Sequence, residues 1–272
     1  MESKRISQGV VAVNEPASGQ GKRQKISVCV ATYQGARYVG PQLRSILEQL
    51  SATDEVIVVD DHSTDQTREV ILDLRDPRVR LIENANNRGV AASFEEALRQ
   101  ASGELVFLSD QDDVWVAHKV AKVLAVFDEE PRVTLVVTDA ELIDEHGMPL
   151  AMSYYATRGG FRSGLLSNLI RCNYLGCTMA FRSYLIPKVI PFPLDTDVLH
   201  DIWIGAVNRI TRGTTRYLSE PLVLYRRHPA AVTKKELSLA HKVVVRLHLL
   251  RAVANYCTRN LLGEWLGSGH GV

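Results

Sequence analysis

Short apolar runs alternate with helical stripes from Lys25 onward. "ISVCVA" (Ile26–Ala31) is continuous and rich in β-branched residues, which predicts a strand covered on both faces. A helix is expected around Val39–Gln49, where Leu43, Ile46, Leu47 and Leu50 recur at helical spacing. "EVIVVD" (Glu55–Asp60) predicts a second buried strand. Ser63 and Gln66 in the following "STDQ" have the spacing of a capping box that would open the next helix. "VRLIE" (Val79–Glu83), Val90–Ala101 and Leu105–Ser109 continue as strand, helix, strand. This alternation with short connections is the signature of βαβ units, and so of the α/β class: a Rossmann-like, mostly parallel sheet flanked by helices.

The rest of the chain is less regular. Val133–Leu150 predicts a strand and a hairpin turning near His146–Gly147, and Leu175–Arg182 another strand. His200–Ile210 reads as a helix, and "TTRYL" and "LVLYRRH" as two short closing strands. From Glu236 to Trp265 the pattern is helical, with Val243, Leu247, Leu250 and Ala254 as its apolar stripe. Residues 1–24 are polar and aperiodic, as in a disordered tail. The "GQGK" within them lacks the spacing of a phosphate loop and follows no strand. The expected organisation is therefore this tail, one domain over 25–235 (a nucleotide-binding half, 25–115, and an acceptor and catalytic half, 116–235), and a C-terminal amphipathic helix and tail over 236–272.

Composition narrows the function classes. The 272 residues are 46% hydrophobic and 23% charged, and 32 Lys plus Arg nearly balance 31 Asp plus Glu. Global charge thus gives no support to a nucleic-acid partner. Cys29, Cys172, Cys177 and Cys257 form no C-x-x-C pair and read as small buried hydrophobes. With no apolar leader and no run long enough to span a bilayer, the expected location is cytoplasmic.

The chemistry gathers where the strands stop. In "FLSDQDDVW" an apolar run ends in Asp110, Asp112 and Asp113, two residues before Trp115. Asp110 and Asp112 share one side of an extended segment, an arrangement that suits a hard divalent ion with positions left for a phosphate-bearing ligand. A bare D-x-D is as well explained by a solvated, helix-capping loop; the buried strand before it, with Asp113 and Trp115 after it, favours the cation. Asp60 and Asp61 end the second strand, where either could cap a helix or accept hydrogen bonds from a nucleobase or ribose. Because ligands of parallel sheets bind at the carboxyl ends of strands, these acids share one edge.

Taken in order, "VCVATYQG", "VVDDHSTDQT", "NNRGVAASFEEAL", "SGELVFLSDQDDVW", "LHDIW" and "LYRRH" resemble the inverting family 2 glycosyltransferases, whose domain is the A-type fold. The resemblance covers about Lys25 to His228. The "DQDDxW … HDxW … YRxH" variant is similar to rhamnosyltransferase-like enzymes of bacterial surface-polysaccharide assembly. It implies that Ala31, Thr32 and Tyr33 line the base pocket, largely through backbone atoms, that Asp61 bonds the base, with Asp60 beside it, and that Arg88 reaches the diphosphate. It makes Asp110 and Asp112 the D-x-D, with His228 near a Mn or Mg ion and Arg226 or Arg227 adding positive charge. Asp201 takes the place of the catalytic base; by itself it reads equally as a helix N-terminal acid. The implied partners are a nucleoside-diphosphate sugar, UDP- or dTDP-linked and dTDP-rhamnose among the candidates, and a glycan or lipid-linked glycan acceptor.

Some residues depart from the family pattern. Ala31 replaces the usual proline, Gln34 the usual asparagine, and "PAAVT" follows His228 where relatives carry Gly/Ser-Asn. Two other readings remain: a catalytically silent sugar-nucleotide or glycan-binding module, which would tolerate loss of Asp201, and a nucleotidyltransferase, which would need a Gly-rich loop and lysine where "ATYQGARY" stands. For the C-terminal helix both packing on the domain and peripheral contact with the inner membrane are open, because its positive charge is spread around it.

Overall fold

Four parallel strands form one half of the sheet: β1 (Ile26–Thr32), β2 (Glu55–Asp60), β3 (Val79–Glu83) and β4 (Leu105–Asp110), in the order β3-β2-β1-β4. The protein, here a computed structural model, is described over residues 23–171, 173–194, 196, 198–228 and 239–267, with Leu239 and 260–267 as backbone only. β1 is buried at all seven positions, as its unbroken apolar run requires of a central strand. Helices α1 (Val39–Leu47), α2 (Thr67–Leu72) and α3 (Val90–Gln100) make the crossovers. Phe94, Ala97 and Leu98 form the buried stripe of α3, which packs on β1 and β2. The parallel register pairs Thr32 with Asp60 and Ala31 with Asp110, so the ends of three strands come level at one edge.

The α2 capping box does not form. α2 opens at Thr67, after Gln66, because the Ser63 hydroxyl and amide are both given to the Asp60 carboxylate. Thr67 N donates instead to Asp65 Oδ1 at 3.1 Å.

The other half comprises β5 (Val114–Trp115), α4 (Lys119–Glu129), β6 (Val133–Ile143), β7 (Pro149–Ala151), α5 (Leu165–Arg171), β8 (Met179–Arg182), α6 (Ile186–Val189), α7 (His200–Ile210), β9 (Thr214–Arg226) and α8 (Leu239–Gly267). The sheet continues from β4 as β8-β6-β9-β5, with β7 paired to β6. The β6–β7 hairpin turns at Gly147, whose φ of +88° suits a residue without Cβ. The two expected closing strands are one 13-residue strand, β9. The break in its sequence pattern is a bulge: register against β6 shifts around Asp139, opposite Pro221, which has no N–H to give a ladder.

The strand expected over Leu175–Arg182 begins only at Met179, after a 3₁₀ turn at Gly176–Thr178. That turn carries Gly176 against α7, where a Cβ would lie 2.7 Å from His200 Nε2. The apolar stripe expected to seat α8 faces outward instead: Val243, Leu247 and Leu250 are exposed, while Val245, Leu249 and Ala252 are buried. Tyr256, one turn on from Ala252, meets the Trp203 ring of α7 edge-on at 5.7 Å. The expected tail at 1–24 falls almost wholly outside the described residues, as do "PAAVT" and Cys172.

Candidate active site

The level strand ends build the site. At the end of β1, the Gln111 side chain accepts from Thr32 Oγ1 (2.6 Å) and Tyr33 N (2.9 Å) and donates to Tyr33 O (3.0 Å). Both backbone polar groups of Tyr33 are thus held by the D-x-D loop itself, while its ring is 47% exposed. Ala31 is buried beneath this turn. Gly35 permits the close approach, since a Cβ there would meet Gln111 Oε1 at 2.1 Å.

The two acids after β2 do different things. Asp60 is buried and its carboxylate accepts from Ser63 N at 2.9 Å, fixing the loop. Asp61 accepts from Asn84 Nδ2 (2.7 Å) and Arg88 N (2.8 Å) on Oδ1 and from Gly89 N (2.7 Å) on Oδ2. A carboxylate offers about four lone-pair directions, so roughly one remains for a ligand. Arg88 is anchored through its backbone, with its side chain exposed.

The carboxyls of the D-x-D loop are buried close to one another. Burial, then the charges of Asp113, Asp112 and Asp201, hold the Asp110 carboxyl well above the usual range. Burial and Asp112 push Asp113 up to about 7, and its Oδ2 is buried without a hydrogen-bond partner. Asp112 Oδ2 lies 2.7 Å from His228 Nε2, just beyond β9. Arg226 ties the two ends together: its N donates to Asp113 Oδ1 (3.0 Å) and its Nε to Asp112 O (2.8 Å). Arg227, by contrast, is exposed, its guanidinium 5.9 Å from the Tyr225 ring centre.

Three participants were not foreseen from the sequence as site residues. Lys119 is buried beneath the acids, with Nζ donating to Cys177 O at 2.8 Å and lying 4.1 Å from the Trp115 ring centre. Burial pulls its pKa down to about 7, against the opposing pull of Cys177, Asp113 and Asp110. Cys177 is buried as expected, yet its Sγ shares a cluster with Asp110 and Asp113 in which the potential ligand atoms lie within 4.8 Å of one another. Gln111 is the third. The available signal was the i, i+4 spacing of Trp115 and Lys119 just after the acids, which reads as an ordinary exposed helix start.

Asp201 sits at the start of α7, buried, accepting from Ile202 N (2.7 Å) and Gly176 N (3.1 Å). Burial raises its pKa to about 6. Neighbouring His200 stacks on Phe94 with centroids 4.0 Å apart, and burial lowers its pKa to about 3, so it is neutral.

Oxygen and imidazole donors of the kind that Asp110, Asp112 and His228 offer suit a hard divalent ion. Among the described residues, the group whose potential ligand atoms lie close enough to share one ion is Asp110, Asp113 and Cys177, while Asp112 and His228 pair with each other. Cys177 is a poor ligand for such an ion because burial keeps its thiol protonated.

Residues 27–186 match the family model described as glycosyl transferase family 2, and the chain belongs to that family. It is 33% identical over 218 residues to an uncharacterized glycosyltransferase of Nostoc, covering 76% of this chain and 66% of that one. It is 27% identical over 191 residues to WfgD of Escherichia coli, a UDP-Glc:alpha-D-GlcNAc-diphosphoundecaprenol beta-1,3-glucosyltransferase, covering 67% of this chain and 73% of that one. Among solved structures, Staphylococcus aureus TarS 1–349 in complex with UDP-GlcNAc superposes with a TM-score of 0.63 at 24% identity, over 85% of this chain and 66% of that one. The architecture is accordingly a single A-type glycosyltransferase domain.

Proposed function

We propose that this protein is a metal-dependent, inverting glycosyltransferase that moves a sugar from a UDP- or dTDP-sugar, dTDP-rhamnose included, to a hydroxyl of a glycan or lipid-linked glycan in bacterial O-antigen, capsule or exopolysaccharide assembly. The observation that carries the reading is the buried Asp201 carboxylate, held near pKa 6 and close enough to the D-x-D loop that its charge raises Asp110. A base of that strength is ionised at neutral pH and can take the acceptor hydroxyl's proton as the oxygen attacks the sugar's anomeric carbon. The nucleoside diphosphate leaves from the opposite face, and one displacement inverts the configuration.

Asp110, Asp112 and His228 would hold the divalent cation, Mn or Mg, which when bound neutralises charge developing on the leaving diphosphate. Asp61 keeps one acceptor direction for a base imide, and the exposed Tyr33 ring offers a face on which a base can stack. Arg88 and Arg227, both exposed, are free to turn toward the diphosphate. The named relatives support the substrate class: WfgD uses UDP-Glc, TarS is seen with UDP-GlcNAc, and a Pyrobaculum calidifontis mannosyltransferase with GDP-Man and Mn2+.

Thermal unfolding with UDP, dTDP, GDP and CMP, each with and without Mn2+, tests the donor site. A ligand at about 100 times its Kd stabilises the folded state by about 2.7 kcal/mol, a Tm rise of roughly 5–10 °C for a chain of this size. The expected result is a Mn2+-dependent rise with UDP or dTDP that Asp112→Ala abolishes. Absence of any shift from folded wild-type protein would overturn the reading.

A further inference from the structure

Helix α8 is apolar on two opposite faces. The inner face, Val245, Leu249 and Ala252, is buried against the domain. The outer one, Val243, Leu247 and Leu250, is 49%, 57% and 47% exposed, with Ala254 continuing it at helical spacing. Solvent-facing aliphatic residues at four-residue and three-residue steps are not needed for packing the helix, since the inner row already does that.

The row does not stand alone. α5 lies beside α8, and Arg246 Nε donates to Ile170 O at 3.1 Å, joining the end of one helix to the flank of the other. On α5 the exposed residues are again large and aliphatic: Leu166 at 71% and Ile170 at 55%. Two neighbouring helices thus both carry exposed large aliphatic residues, the kind of clustering that marks an interaction surface.

The charged residues beside these aliphatic ones are basic. By helical position Lys242 and Arg246 lie on one side of the α8 row and Arg251 on the other, with Arg171 at the end of α5. Acids are missing from the sequence around them: none occurs from His146 to Leu194, which includes all of α5, and none from Leu237 to Gly263. An apolar row with cationic flanks matches the interface of an anionic bilayer, where aliphatic tips enter the acyl boundary and Lys and Arg stay among the headgroups. A two-fold pairing of this face with a second copy would set the same basic residues against each other. Among the described residues no helix is long and apolar enough to cross a membrane, so α8 would lie on the surface.

We infer that the α5–α8 face is a peripheral docking surface for an anionic phospholipid bilayer. The inference stands on this face alone and does not depend on the donor site. Flotation of the full chain with vesicles of phosphatidylglycerol and phosphatidylcholine, against phosphatidylcholine alone, reads it directly. Wild-type protein should float with the anionic vesicles at least about tenfold more than with the neutral ones, and high salt should weaken the association. Leu247→Glu/Leu250→Glu should lose that binding by at least about tenfold while its thermal unfolding stays that of wild type, because both side chains face water. Lys242→Glu/Arg251→Glu, also at exposed positions, should lose it as well. Failure of wild type to float with anionic vesicles, or undiminished flotation of either variant, would overturn the inference. So would light scattering that shows a wild-type dimer converted to monomer by Leu247→Glu/Leu250→Glu, which would assign the face to a second copy of this chain.

Discussion

His228 Nε2 and Asp112 Oδ2 meet at 2.7 Å across 116 residues of sequence. The contact closes the end of β9 onto the D-x-D loop, and Arg226 reinforces it from the preceding position. If the pair is one half of a cation site, its members act as a unit. Asp112→Ala and His228→Ala should each abolish the Mn2+-dependent nucleotide shift, and the double variant should be no worse than either. Additive losses would separate the two residues.

Lys119 is a buried amine set beside the carboxyls of Asp110 and Asp113. Removing one partner of a buried charge group typically costs roughly 3–5 kcal/mol, because the remaining charge is left unbalanced. Lys119→Met should therefore lower Tm markedly, and Mn2+ should restore more of it than Mn2+ adds to wild type. Equal metal effects in the two proteins would show that Lys119 does not balance the acids.

Asp61 holds the 84–89 loop by three hydrogen bonds. Hydrogen bonds to charged groups are worth about 1.5–3 kcal/mol each and are not additive. Asp61→Ala should lower Tm by several degrees in nucleotide-free protein and speed amide exchange at Arg88 and Gly89. An unchanged melting curve would mean that the clamp contributes nothing.

The raised pKa of Asp201 has two consequences with defined signs. A base must be ionised, so kcat/KM should fall as pH drops below about 6. The folded protein also holds this proton more tightly than the unfolded chain does. The stability it contributes is full below the ordinary 3.8 and lost as pH rises through about 6, a difference of roughly 3 kcal/mol. The Tm of Asp201→Asn minus that of wild type should therefore increase between about pH 4 and 6. A flat difference would place the carboxyl at an ordinary pKa.

Much of this was legible in the sequence, for a physical reason. Short, continuous apolar runs rich in β-branched residues, such as Ile26–Ala31, favour central strands, and central parallel strands bring their carboxyl ends, with Asp60 and Asp110, to one edge. What could not be read depends on competition between partners. Ser63 has capping spacing, but the Asp60 carboxylate takes its hydroxyl first. The outer stripe of α8 is as periodic as the inner one, and periodicity alone does not say which face meets the core. Lys119, at the start of α4, and Cys177, in the 3₁₀ turn before β8, are 58 residues apart and meet only in the folded chain.

The most direct test is turnover of the sugar nucleotide that gives the thermal shift, measured as nucleoside diphosphate release with a glycan acceptor, by wild type and Asp201→Asn. The variant should bind donor with an undiminished shift while its turnover falls by about 10²–10⁴-fold, the usual contribution of a general base. Equal turnover in the two proteins would remove Asp201 from the chemistry. Donor binding with no turnover in wild type would make the protein a silent sugar-nucleotide-binding module.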